Sequence, residues 1–403
     1  MSWNWVNLKV TMKGSATRSE AAPHLLPVLA MSTPTMVGRN IVEFVGDTMA
    51  DVDPCPRRNC VYSAIMGQGG VFAYSGMAFT AELGKRGSLV LTGGGHGDYW
   101  GNEVYVFDLA TNRWRRINNP SLALDGTNAE TDPRFNKKYA EYGDGTPGSS
   151  HTYDHLRCVP GKNELLLIGS AACYGAGPSS YNGYAHACNL TTGAWRRAST
   201  NGPDMKARQA CSIYDERRKK AWRCLASNGN SVAAYDPETE TFSEYVPAGA
   251  GDVGFDPIAF GHPGFDLMVV LGWTGGYNLP SAFTLTAIQL GEPAAPFRQL
   301  KLVGDIPTSR ISFTDTGWGV DWSTDHNAAF VFAGEPDNSH VYRIDPPATN
   351  PFGSAWTLTK IALPQPMPGG VRSGIYSHWR YCSTIKKFAF VANPKSRVAL
   401  WTP

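Results

Sequence analysis

Long apolar runs are scarce in this 403-residue chain. No segment approaches the roughly 18 consecutive apolar residues of a membrane-spanning helix, so no membrane partner is expected. The opening MSWNWVNLKVTMKG lacks the uninterrupted apolar centre of an export signal. A soluble chain is the expectation, cytoplasmic by default, with a virion-associated or secreted setting as alternatives. Charge of one sign is lacking too: 36 Lys and Arg against 34 Asp and Glu leave +2, too near neutral to suggest a nucleic-acid partner. No long amphipathic helical pattern is present. Eight cysteines are few for this length, and several fall in predicted strands, where a free thiol acts as a small buried hydrophobe. Cys55 and Cys60 flank a Pro-Arg-Arg-Asn loop and are the best candidates for a disulfide or metal pair, but two ligands do not make a zinc site.

What is present is turn chemistry and aromatic mass: Gly 43, Pro 28, Trp 12, Tyr 17 and Phe 17, with 42% hydrophobic residues. That suits a β-rich chain with many short strands. The key stretch is LVLTGGGHGDYWGNEVYVFDLATNRWRR, from Leu89 to Arg116. Two β-prone runs, Leu89 to Leu91 and Val104 to Phe107, flank a glycine-rich turn and read as a hairpin. Asp108 then opens a tight turn, and Trp114, six positions on, can bury its indole from a further strand. The same six-residue spacing recurs at Asn189 with Trp195 and at Asp236 with Phe242, with looser copies at Asp345 with Trp356 and near Gln289 with Phe297.

This pattern resembles the blade of a kelch-type β-propeller. The implied fold is all-β: a single kelch-like propeller of six or seven four-stranded blades, since one blade alone cannot bury both its faces. The blades are expected at about 69–118, 151–199, 206–247, 255–303, 309–363 and 370–403. The last is completed by an N-terminal strand, for which Trp3 and Trp5 are candidates. Residues 1–68 are the least regular, and 37–66 could supply most of a further blade or cover one face. Residues 119–150 form a long polar insertion, a length that usually signals function or disorder.

In such a ring, the loops joining the second and third strands and those joining consecutive blades emerge on one face. The first kind brings His96, Asp98 and Tyr99, then Tyr174, Tyr181 and Tyr184. The second brings His151 and Tyr153, then Arg208, Arg310 and Arg372, each just before an inner strand. Converging arginines suit an anionic sugar, because a guanidinium grips a carboxylate through two parallel hydrogen bonds and aromatic rings stack on sugar faces. The plainer alternative is that each arginine bonds a neighbouring blade and staples the ring. His186, His262, His326 and His340 lack comparable company and read as structural. His155 shares by alternation the facing of His151 and Tyr153, so one of these three could belong to the core.

GGGHGDYWGNEVYVFDL followed by SSHTYDH is similar to propeller-fold polysaccharide lyases of the ulvan-lyase type and to kelch-like proteins of bacteria and phages. That resemblance implies β-elimination at a uronic acid within an acidic polysaccharide or oligosaccharide, with His and Tyr as acid and base and Arg neutralising the carboxylate. On this sequence it implies His96, His151, Tyr184 and Arg208 as catalytic residues, with Tyr181 competing for the tyrosine's place. Tyr99, Tyr153, Tyr181, Arg310 and Arg372 would bind substrate. No cofactor is required, although His96 with Asp98 could hold a metal ion. Hydrolysis by paired carboxylates would call on Asp98 and Asp154. A copper-dependent oxidase would need a Tyr, Cys and His ligand set that the sequence does not display convincingly. The non-enzymatic alternative is a glycan-binding propeller with the same pocket and no proton transfer.

Overall fold

A computed structural model describes residues 40–52, 70–72, 74–94, 101–121, 135–136, 138–170, 182–203, 210–225, 231–245, 255–273, 282–307, 317–334, 337–369 and 374–403. Six antiparallel sheets follow one another as a six-bladed β-propeller. Blade one is Gly76–Thr80, Ser88–Thr92, Tyr105–Asp108 and Arg113–Arg116. Blade two is Leu156–Val159, Glu164–Ser170, Asn182–Asn189 and Trp195–Arg197, and blade three is Ala210–Asp215, Lys220–Leu225, Val232–Asp236 and Thr241–Tyr245. Blade four is Phe255–His262, Leu267–Trp273, Phe283–Gln289 and Arg298–Gln299. Blade five, Gly319–Ser323, Ala328–Phe332, His340–Asp345 and Trp356–Ala362, gains a fifth strand, Leu302–Gly304, parallel to its outer edge.

Blade six takes three strands from the C-terminal region, Trp379–Cys382, Lys387–Phe390 and Val398–Thr402, and its outer strand, Ile41–Val45, from far up the chain. The expected closure by N- and C-terminal strands is therefore present, but Ile41–Val45 fills the place considered for Trp3 and Trp5, which lie outside the described residues. The alternating IVEFV places Val42 against the core, while Asn40 accepts a hydrogen bond from the Trp401 indole and donates one to Ala362. Without this strand, Val398–Thr402 would present an open edge with a buried tryptophan behind it. Removing residues 1–46 should lower the midpoint of denaturant unfolding and promote aggregation; an unchanged midpoint would mean that the strand does not secure the ring.

The apolar residues divide into six clusters, each between two adjacent blades around the ring. Strand alternation explains this division. Leu89 and Leu91 face blade six while Val90, between them, faces blade two, so the second strands must be apolar on both sides. The repeated six-residue spacing also has a local cause. Asp108 Oδ1 accepts from the N–H groups of Ala110 and Thr111, Asn189 Oδ1 from Thr191 and Thr192, and Asp236 Oδ1 from Glu238 and Thr239. Each turn then passes through a left-handed residue, Asn112, Gly193 or Glu240, and reaches the aromatic two residues later. Cys158, Cys188, Cys211, Cys224 and Cys382 are free thiols on strands. Cys55 and Cys60 lie outside the described residues.

Candidate functional site

Inner strands run along the ring axis, so the residues just before them gather around its mouth on one face, the leading face. Three tyrosines occupy that position: Tyr74 before blade one, Tyr153 before blade two and Tyr376 before blade six. All three have left-handed backbones, with φ of 50°, 39° and 44°. This is a costly conformation for a bulky side chain, and such strain concentrates where function demands a fixed geometry. Hydrogen bonds between blades hold it. Tyr153 N–H donates to Tyr74 O at 2.9 Å, Ser377 Oγ donates to Tyr153 O at 3.2 Å, and Gly76 N–H donates to Thr152 Oγ1 at 2.8 Å. Gly76 has no room for a side chain, because a Cβ there would lie 2.0 Å from Tyr153 O.

His151 joins this cluster. Its Nδ1 lies 3.0 Å from the Tyr153 hydroxyl, and its ring stacks on Tyr74 at 4.6 Å between centroids. Tyr153 meets Tyr376 edge to face at 5.2 Å. His151 and Tyr153 are each 6% exposed, and Tyr74 is half-buried. The insertion of residues 119–150 delivers His151 to this place. Its described end is pinned by Asn102, which donates to Thr146 and Pro147, and by Ser149, which donates to Gly93 O.

Tyr184 has different described neighbours. Its ring meets Tyr139 at 4.9 Å, and the Arg197 guanidinium lies 3.4 Å above Tyr139 and 5.9 Å from Tyr184. Arg197 donates two hydrogen bonds to Glu141, and His186 Nε2 lies 2.9 Å from the same carboxylate. Burial alone would raise the Glu141 pKa, but these two partners more than reverse that and hold it below the ordinary value. His186, His340, His326 and His262 all have local partners: Glu141, Asp337, Ser323 and the Phe265 ring, respectively.

Below the mouth lies a buried ionic hub. Asp154 Oδ1 accepts from Arg157 at 3.0 Å and from Arg380 at 2.7 Å, while its Oδ2 accepts from Ala259 N–H at 3.2 Å. Asp154 is 1% exposed, so the carboxylate considered for hydrolysis is committed to joining blades two, four and six. His155 and His378 flank the hub, and burial pushes both down to about 3, helped by Arg223 and Arg380 respectively. Burial likewise comes first in lowering Arg157, followed by Arg380.

Of the residues expected from sequence, the structure brings together His151 and Tyr153. His96, Tyr99, Tyr174, Tyr181, Arg208, Arg310 and Arg372, together with Asp98, lie outside the described residues. Sequence reading missed Tyr74, Tyr376 and the hub. Their signal was available: Tyr153-Asp154-His155-Leu156-Arg157 in blade two repeats as Tyr376-Ser377-His378-Trp379-Arg380 in blade six, with Tyr74 as the remnant in blade one.

No family model matches the chain, and no curated protein matches it. Solved structures that it resembles include an auxiliary nutrient-binding protein from Bacteroides ovatus, with TM-score 0.48, 10% identity, and 90% of this chain and 76% of that one covered. Another is the major Malassezia sympodialis allergen Mala s 1, with TM-score 0.45, 11% identity, and coverage of 82% and 92%. A third is an engineered GH43 glycoside hydrolase, with TM-score 0.40, 12% identity, and coverage of 72% and 54%. Likeness at this level carries no argument about ligand or reaction.

Proposed function

We propose that this kelch-type propeller acts on an acidic polysaccharide at the leading face, as a lyase that cleaves beside a uronic acid by β-elimination. The observation that carries the reading is the contact between His151 Nδ1 and the Tyr153 hydroxyl, 3.0 Å apart and enclosed by two further tyrosines on strained backbone. Such a pair can relay a proton at a fixed point.

A proton next to a carboxylate is very weakly acidic, so the carboxylate must be neutralised before the proton leaves. Arg208, with Arg310 or Arg372, is assigned that task from its place before an inner strand. Tyr153 and His151 then serve as acid and base: one removes the proton and the other protonates the departing glycosidic oxygen. Tyr74 and Tyr376 shape the mouth. The role of acid–base tyrosine thus passes from Tyr184 to Tyr153, because Tyr153 has the described contact with His151. His96 is kept as an assisting residue, and Tyr99 and Tyr181 as contacts to the sugar.

The test is ultraviolet absorbance of the unsaturated uronate during incubation with a panel of uronic-acid polysaccharides. A rise with one of them, lost in His151→Ala and in Tyr153→Phe, is the expected result. No rise with any of them, together with unchanged reducing ends, overturns the lyase and leaves a glycan-binding propeller that uses the same mouth.

A further inference from the structure

The opposite end of the ring axis, where the inner strands finish, holds a separate cavity of about 450 Å³. All six blades line it. Leu156, Ile213 and Ala259 provide apolar wall, and Tyr214, Trp322 and Tyr381 provide aromatic surface. Its size is that of a small-molecule pocket.

Arg380 lines this cavity with a side chain only 6% exposed. Its Nε donates to Met77 O at 2.8 Å, and its Nη2 donates to Asp154 at 2.7 Å. Nη1 has no hydrogen-bond acceptor among the described residues. Its ion-pair partner, Asp321 Oδ2, is 3.9 Å away, beyond hydrogen-bonding distance. Asp321 cannot readily swing closer, since its two oxygens accept from the main-chain N–H groups of Tyr381 and Trp322, both at 2.9 Å. A guanidinium edge that lines a cavity without a protein acceptor can take one from a ligand, and a carboxylate is the acceptor that it binds most strongly. The exposed rim carries Glu82 and Glu216 beside Arg217, which disfavours polyanions and suits a ligand with a single carboxylate.

We infer that this cavity binds a small polyhydroxy monocarboxylate. The carboxylate sits on the Nη1 edge of Arg380, which Asp321 approaches but does not hydrogen-bond, and the hydroxylated chain lies along Tyr214, Trp322 and Tyr381. The inference stands independently of the reaction proposed at the leading face.

Isothermal titration calorimetry with sodium gluconate and with sorbitol, its uncharged counterpart, tests this site. The full chain should bind gluconate at least about tenfold more tightly than sorbitol, consistent with one charge-assisted contact. Asp321→Asn removes the neighbouring negative charge and should tighten gluconate binding. Ser383→Trp, an exposed substitution at the cavity lining, should abolish binding while leaving the melting temperature unchanged. His151→Ala should leave it intact. Equal binding of the two probes, no binding of gluconate, loss in His151→Ala, or persistence in Ser383→Trp would overturn the inference.

Discussion

Asp154→Ala should lower the free energy of unfolding by about 3–5 kcal/mol, the cost of leaving buried charges without their partner. Arg157 and Arg380 are 8% and 5% exposed and both hydrogen-bond this carboxylate, so truncating it removes the nearest counter-charge of two guanidiniums and leaves them main-chain acceptors and the more distant Asp321. The loss should also spread between blades. Asp154 accepts from Ala259 of blade four, and Ser212 of blade three donates to its main-chain carbonyl. Denaturant titration measures the effect. Replacing Asp154 with Leu and both arginines with Met should recover most of it, because hydrophobic substitutes for a buried ionic group are often neutral or better. If Asp154→Ala shifts stability by less than about 1 kcal/mol, the hub behaves like an exposed ion pair and does not hold the ring.

The second large effect is acid lability that begins before carboxylates titrate. His155 and His378 are pushed down to about 3 and His262 to about 4, each chiefly by burial, against an ordinary value of 6.5. In the folded protein these rings stay neutral as pH falls below 6.5, while in the unfolded chain they take up protons. Their contribution is therefore complete above pH 6.5 and is lost as pH falls toward their folded values. Each group contributes a slope of up to about 1.4 kcal/mol per pH unit in that window. His378 offers the clearest test, because neither ring nitrogen has a hydrogen-bond partner among the described residues and the ring packs on Phe72 at 4.7 Å. His378→Phe should flatten the stability profile between pH 6 and pH 4 by about one group's slope. A profile parallel to that of the original protein would show that His378 already binds a proton when folded.

The parts of this fold that were legible in the sequence are those with local causes. The Asp108 to Trp114 spacing could be read because one side-chain oxygen caps two nearby N–H groups and a left-handed residue follows, all within a few positions. The closing strand was anticipated as a requirement of the ring but was sought at Trp3 and Trp5. Pairing with Val398–Thr402 is a long-range choice, and the short alternating run from Ile41 to Val45 carries no aromatic anchor of the expected kind beyond the exposed Phe44. His151 and Tyr153 were picked out by their place before an inner strand. Tyr376 could have been found from the repeat of the Tyr153 to Arg157 spacing at Tyr376 to Arg380, but its meeting with Tyr153 depends on bringing blades two and six together, which spacing along the chain does not encode. Asp154 illustrates the same limit: read alone it was a candidate catalytic acid, and only its partners from blades four and six make it a structural charge.

The most direct test of an acidic-glycan site at the leading face is affinity electrophoresis in gels containing an acidic polysaccharide, compared with gels containing a neutral one. The protein should be retarded only by the acidic polymer. That retardation should disappear in His151→Ala and persist in Ser383→Trp, whose substitution lies at the other end of the axis. Equal mobility across a panel of acidic polymers, or retardation unaffected by His151→Ala, would contradict the account.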